Sequence, residues 1–327
     1  MPRVPAPLVT VVVPTRDRAV RLARLLEALR RQTLDPEAFE VVVFDDASTD
    51  PGVRRVLDAV AAEGVLDLRV LRGTSSAGPA VARNRAWRAG GAPLVAFVDD
   101  DCVPGRRWLE ALRDAWSAAA LADPDLAVVQ GPVDPDPAEY PHDFGPFSTT
   151  LWVREASPRF ETANIAYPRA LLERLGGFDE RLVVAGEDTD LGWRAVEAGA
   201  TVVWAGDAQV HHGVVQQGPW GRLAKGWRWR YVPAVFARHP GLRRELELGV
   251  FWGPPHLWLF GGLLAVALRR RRGVGWSLLR WWLGGPYLRR LTHYRTGPAL
   301  APYRLACDLV EVAAIGTGAV RHRVPMI

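Results

Sequence analysis

This sequence predicts an α/β fold: a doubly wound, mostly parallel central sheet followed by a helical extension. Three observations carry the prediction. Strand and helix patterns alternate through about 100 residues at the start of the 327-residue chain, as they do in parallel sheets covered by helices. Apolar runs stop abruptly at acids, in Phe44-Asp45-Asp46 and Val98-Asp99-Asp100-Asp101. Charge and tryptophan then divide the chain. Residues 213–327 carry 18 Lys+Arg against 4 Asp+Glu and 8 of the 14 Trp, whereas residues 1–212 carry 23 against 32. We therefore read 1–212 as one domain and 213–327 as a basic, Trp-rich extension.

The elements follow in order. Leu8–Val13 is an unbroken β-branched run, hence a buried strand, and Pro14-Thr15-Arg16-Asp17-Arg18 ends it. Residues 19–31 place Val20, Leu22, Leu25, Leu26 and Leu29 on one helical face. Phe39–Phe44 is a second strand, ending in Asp45-Asp46-Ala47-Ser48-Thr49-Asp50. Val53–Ala62 is a helix, Leu68–Leu71 a short strand, Ala80–Ala89 a helix and Pro93–Val98 the fourth strand. Residues 106–121 read as a helix and Leu126–Val129 as a strand. Residues 132–146 are rich in Pro and Asp and read as a loop. Phe160–Ala166 reads as a strand before a short helix, Pro168–Leu175, which Gly176-Gly177 ends. Gly186-Glu187-Asp188-Thr189-Asp190 opens a helix to Ala198, where acids also suit the helix dipole. Thr201–Trp204 is the last core strand, and Val210-His211-His212 follows.

Composition narrows the function classes. An apolar fraction of 49% with 24% charged residues describes a globular chain. Two distant cysteines, Cys102 and Cys307, give neither a disulfide framework nor a zinc site, and point to a reducing compartment. The start of the chain, through Leu8, is Pro-rich and has no signal-peptide pattern. Three adjacent carboxylates at a strand's end repel one another and need a counter-charge. They sit where open α/β sheets bind ligands. A hard divalent cation, held by one or two carboxylates and substrate phosphates, answers that need.

Taken together, the residues resemble inverting family 2 glycosyltransferases with the GT-A fold. The matching segments are Val11-Val12-Val13-Pro14-Thr15-Arg16, Val42 through Asp50, Ala82-Arg83-Asn84, Phe97-Val98-Asp99-Asp100-Asp101, Gly176 through Glu180, Glu187 through Leu191 and Val210-His211-His212. They occur in the family's order. The resemblance implies a nucleotide-diphosphate sugar donor and a glycan acceptor, of the cell-envelope polysaccharide kind, or a lipid-linked one. Pro14, Thr15, Arg16 and Asp46 would hold the donor's base, with Arg83, Asn84, Asp99, Asp100 and Glu187 beside the donor. Trp152 and Trp193 are candidates for stacking on an acceptor sugar, with packing the favoured reading of both. Asp99, Asp101 and His212 would hold a divalent metal, Mg²⁺ or Mn²⁺. Asp188 matches the general base, which takes the acceptor's proton in a direct displacement and gives inversion. His211 is the rival of His212; adjacent strand residues face opposite ways, so one alone can face the metal.

Departures from the family sharpen the expectation. Gln216-Gln217-Gly218-Pro219-Trp220 lacks the Arg of the Gln-x-x-Arg-Trp motif of processive members, which disfavours a polymerising synthase. Ala47 stands where Gly is frequent, and fits unless that position needs a positive φ. Two rival readings are a non-catalytic membrane-bound relative that partners another transferase, and a nucleotidyltransferase. An intact Asp99-x-Asp101 pair with Asp188 speaks against the first, and the weak basic loop of Arg16 and Arg18 against the second.

The basic third mixes Trp and Arg with broken apolar runs, a pattern of membrane interfaces. Leu248–Leu268 is apolar except for His256, and Pro254-Pro255 breaks any helix there. The 13 residues from His256 to Leu268 are too short to span a bilayer, which needs about 20. Arg269–Arg272 follow at once, an anionic-lipid contact. Val274–Leu291 is Trp-rich, and Leu305–Val320 reads as a last helix broken by Gly316 and Gly318. The expectation is a cytoplasmic protein, peripheral on the inner membrane face. No nucleic-acid module is recognisable.

Overall fold

The computed structural model describes residues 6–119, 123, 125–293 and 298–327. The Pro-rich start through Pro5, and the expected helix end at Ala120 and Leu121, lie outside the described residues. The chain divides into two compact units, Met1–Phe144 with Thr149–Val215, and Gly145–Ser148 with Gln216–Ile327.

The first unit opens with β1 (Val9–Thr15), α1 (Ala19–Arg30), β2 (Phe39–Asp45), α2 (Pro51–Glu63), β3 (Leu68–Arg72), α3 (Pro79–Ala89) and β4 (Leu94–Phe97). Then come β5 (Cys102–Pro104), α4 (Trp108–Ala119), β6 (Ala127–Gln130) and β7 (Val133–Pro135). It closes with β8 (Ile165–Pro168), α5 (Arg169–Leu175), α6 (Glu187–Glu197), β9 (Thr201–Trp204) and β10 (Val210–His212). The central sheet runs β3-β2-β1-β4-β8-β6-β9. It is mostly parallel, with β8 antiparallel to both its neighbours. Both faces are covered, as parallel strands require. Val9, Val11, Val13, Val41 and Val43 pack under Leu22, Leu25, Leu26 and Leu29 of α1 and Val53 and Leu57 of α2. The alternate residues Val12, Val42 and Phe44 are buried too, on the face where α3 lies over β1 and β2.

Several elements differ from the sequence reading. β1 runs on through Pro14 and Thr15, in register with Phe44 and Asp45 of β2. Pro14 lies at the carboxyl end of β1, where a missing amide is tolerated. Val20 is exposed rather than on the buried face of α1. The expected strand Phe160–Ala166 is displaced to β8, because Phe160 takes a left-handed φ of 55°. Two short strands fall where loops were expected. β5 and β7 flank β10 in a second, three-stranded sheet, β5-β10-β7. Its register sets His212 opposite Cys102, the residue after Asp101.

The second unit holds α7 (Pro219–Gly226), α8 (Val232–Arg238), α9 (Pro254–Ala267), α10 (Val274–His293) and α11 (Ala301–His322). Pro254 and Pro255 start α9 instead of breaking it, because the first helical turn needs no amide donors. Gly316 and Gly318 do not interrupt α11. A Cβ on Gly318 would sit 2.2 Å from the Arg230 carbonyl oxygen, so this glycine permits close packing. α9 and α10 pack as a hairpin. Buried polar contacts tie it to α11: the Tyr287 hydroxyl donates to Asp308 at 3.0 Å, and Arg290 Nη2 donates to the same carboxylate at 2.8 Å. Beyond that anchor the hairpin exposes Leu263, Leu264, Leu278, Trp281 and Trp282. Among the described residues no helix is long and apolar enough to cross a membrane. A membrane-associating role for this unit is an expectation that the fold alone does not establish.

Candidate active site

Residues from six elements of the first unit meet beyond the carboxyl end of the sheet. β1 delivers Thr15, whose hydroxyl donates to Asp100 Oδ2 at 2.8 Å. The turn into α1 delivers Arg18, whose Nη1 donates to Asp100 Oδ1 at 2.8 Å and Asp101 Oδ2 at 2.9 Å. β4 ends at Phe97, and the acids follow it. Burial pushes the Asp100 carboxyl up to about 6, against the pull of Arg18 and with the added repulsion of Asp101.

Arg83 of α3 joins the two acidic segments. It is 6% exposed. Its Nη2 donates to Asp99 Oδ1 at 2.7 Å and its Nη1 to Glu187 Oε1 at 3.0 Å. Burial works against its charge, but Asp99 and Glu187 outweigh that effect and raise its pKa. The β4 acids and the first turn of α6 therefore face one another across a single guanidinium. Asp188 is the next residue. Its Oδ1 accepts from its neighbour's amide, Thr189 N, at 2.8 Å. Burial first, and the adjacent Glu187 second, push the Asp188 carboxyl well above the usual carboxylate range. Asp190 plays a structural part. With 2% exposure it pairs with Arg194 at 2.8 Å. Arg194 also donates to the Leu175 and Gly177 carbonyls, tying α6 to the end of α5.

His212 comes in from β10. Its Nδ1 lies 2.7 Å from the Gly213 carbonyl oxygen, which assigns the proton to Nδ1. Nε2 lies 3.6 Å from Asp101 Oδ1. His211 precedes it on β10, and its Nδ1 is buried without a hydrogen bond. The peptide after His212 is clamped. Val214 donates its amide to Glu139 at 2.6 Å and gives its carbonyl to Arg21 at 2.7 Å. A Cβ on Gly213 would lie 1.7 Å from Arg21 Nη1, so a side chain there would push the Arg21 guanidinium aside.

The remaining expected site residues are used differently. Asp46 accepts from Ser76 Oγ at 2.8 Å and from the Ala77 and Gly78 amides at 2.8 and 3.1 Å. It fastens the loop that opens α3, and Arg16 reaches the same Ser76 hydroxyl at 2.5 Å. Pro14 is half-buried at the strand end. Asn84 is 1% exposed and engages both ends of its amide with Phe178, Glu180 and Trp87. These bonds tie α3 to the loop after α5. Trp193 is 8% exposed, and its indole donates to the Pro158 carbonyl. Ala47 adopts φ 57°, the conformation that glycine supplies at no cost.

The donor chemistry of Asp99, Asp101 and His212 fits a divalent cation, with two carboxylates and a neutral imidazole. These side chains do not form a ready cage. Asp99 turns to Arg83 and Asp101 to Arg18, and among the described residues no three His, Cys, Asp or Glu side chains gather around one point. The sequence reading missed Arg18, Arg21, Glu139 and Thr150, whose hydroxyl donates to the His212 carbonyl at 3.1 Å. Spacing gave no signal for them, because tertiary pairing alone brings them in.

Comparison with known proteins gives this geometry a lineage. A family model described as glycosyl transferase family 2 matches residues 10–176, and one described as glycosyl transferase family group 2 matches residues 94–306. The pre-mycofactocin glycosyltransferase of Mycobacterium tuberculosis is 34% identical over 210 residues, covering 62% of this chain and 42% of that protein. The validoxylamine A glucosyltransferase of Streptomyces hygroscopicus subsp. limoneus is 30% identical over 308 residues, covering 80% of this chain and 63% of that protein. The chain thus spans less than two thirds of each of these relatives. In fold it is similar to a mannosyltransferase from Pyrobaculum calidifontis solved with GDP-Man and Mn²⁺. That likeness has a TM-score of 0.67 at 24% identity and covers 94% of this chain and 88% of that one. It also resembles S. aureus TarS solved with UDP-GlcNAc, with a TM-score of 0.51 at 19% identity over 97% and 92% of the two chains. The family model spans the sheet from β1 through β8, the acids after β4 and the helix bearing Arg83, and on that match the chain belongs to glycosyl transferase family 2.

Proposed function

We propose that this chain transfers a sugar from a nucleoside-diphosphate sugar to the hydroxyl of a glycan or lipid-linked acceptor, by direct displacement with inversion. The observation that carries the reading is the Arg83 bridge between Asp99 and Glu187. It puts the acids of the donor side and the carboxylate next to Glu187 on one cleft. Fold neighbours solved with GDP-Man and UDP-GlcNAc support the donor class.

The roles divide among the residues of that cleft. Thr15 and Arg16, with the loop that Asp46 fastens, form the floor for the base. Asp99, Asp101 and His212 would hold a divalent ion, which would supply positive charge against that growing on the departing diphosphate. Asp188 accepts the acceptor's hydroxyl proton on the opposite face, a contribution of about 10²–10⁴-fold for a placed base. Burial raises its pKa, which makes its ionised form a stronger proton acceptor than an ordinary carboxylate. Transfer therefore rises with pH as Asp188 loses its proton.

The second unit carries the chain to a membrane face. Its exposed Leu and Trp residues lie beside the Arg269–Arg272 turn, and Arg271 stands 5.7 Å from the Trp276 ring. Such a surface rests in the headgroup layer, with apolar side chains down and guanidinium groups on lipid phosphates.

The test is product analysis with nucleotide sugars and Mn²⁺ or Mg²⁺. Release of nucleoside diphosphate with a transferred sugar supports the reading. Release of pyrophosphate from a nucleoside triphosphate identifies a nucleotidyltransferase, and absence of turnover with donors that bind identifies a non-catalytic partner.

A further inference from the structure

The acids after β4 already hold a cation that belongs to the chain. Arg18 Nη1 bridges Asp100 Oδ1 at 2.8 Å and Asp101 Oδ2 at 2.9 Å. The Arg18 side chain is 47% exposed, whereas the two carboxylates are 6% and 7% exposed. A half-exposed cation therefore sits on a buried pair of anions. The other oxygen of Asp101 faces His212 Nε2 at 3.6 Å. Arg18 thus occupies the same carboxylate that the proposed ion site needs, and two cations on one carboxylate repel each other. A half-exposed guanidinium is the weaker holder, because solvent competes for it. Hard divalent ions bind carboxylate oxygen well.

We infer that Arg18 is the resident counter-cation of this acid cluster, and that a divalent ion enters by displacing its guanidinium from Asp101. The inference rests on the proposed ion site and adds that Arg18 sets the affinity of that site. Without the ion, Arg18 keeps Asp100 and Asp101 together despite their repulsion. With the ion, its guanidinium is released to the mouth of the cleft.

Two measurements on the full chain test this, with Mn²⁺ as the only added ligand. In calorimetric titration, Arg18→Gln binds Mn²⁺ about tenfold more tightly than wild type, the scale set by losing one competing charged hydrogen bond. Its melting temperature rises more on adding Mn²⁺ than that of wild type. On the wild-type chain, phenylglyoxal labelling of Arg18, read by mass spectrometry, increases with Mn²⁺. This second measurement needs no variant to fold. Equal or weaker Mn²⁺ binding by folded Arg18→Gln, or unchanged Arg18 labelling at saturating Mn²⁺, overturns the role of Arg18 and leaves the ion site standing. Failure of both proteins to bind Mn²⁺ overturns the ion site and this inference together.

Discussion

In the first unit arginines end on carboxylates: Arg18 on Asp100 and Asp101, Arg83 on Asp99 and Glu187, Arg194 on Asp190. In the second, Arg269–Arg272 meet no carboxylate among the described residues, and large apolar side chains beside them face outward. The same side chain is thus used in two ways. Where acids crowd a strand end, arginine holds like charges together in a fixed constellation. Where acids are absent, it remains available for an external anion. The acid cluster of the first unit spends its charges on internal geometry, and the Arg269–Arg272 turn presents them.

The largest effect that tests this contrast is at Arg83. Arg83→Met leaves Asp99 and Glu187 facing each other without a counter-charge, and breaking such a buried set costs about 3–5 kcal/mol. Thermal or urea unfolding would read that loss, and a drop within experimental error would show that Arg83 is not the link between the two acidic segments. Next is the Arg269–Arg272 turn. Replacing all four with Gln should remove about 1 kcal/mol of attraction to anionic vesicles per residue, with stability changed by only about 0.5 kcal/mol or less. Cosedimentation with phosphatidylserine vesicles at low and high salt measures it, and equal binding of variant and wild type would remove the membrane role. The smallest effect is at Ala47. Its φ of 57° disfavours a side chain, so Ala47→Gly should stabilise the chain by about 1 kcal/mol. A fall in melting temperature would place the cost elsewhere.

Much of the first unit was legible because apolar runs and helical stripes are local signals. Val9–Val13, Phe39–Phe44 and Leu94–Phe97 announce themselves, and acids following such strands announce a site. The short strands β5 and β7 were not legible, since three residues carry no period. Nor were the pairings of Arg18 and Arg83, which depend on elements far apart in sequence. The surroundings of Asn84 and Trp193 were illegible for the same reason: their burial and hydrogen-bond partners come from tertiary contacts. In the second unit, Pro254-Pro255 and Gly318 read as breakers, yet the prolines sit at a helix start and the glycine at a close contact.

The most direct test of the central claim is Asp188→Asn, assayed for sugar transfer and, separately, for donor binding by thermal shift with Mn²⁺. Asn keeps the shape and cannot take a proton. A carboxyl whose pKa is raised by folding costs stability above its unfolded pKa, so the variant should melt no lower than wild type at pH 8. The account predicts transfer reduced by about 10²–10⁴-fold with the donor-induced shift retained. Transfer at the wild-type rate by a variant that still binds donor would contradict it.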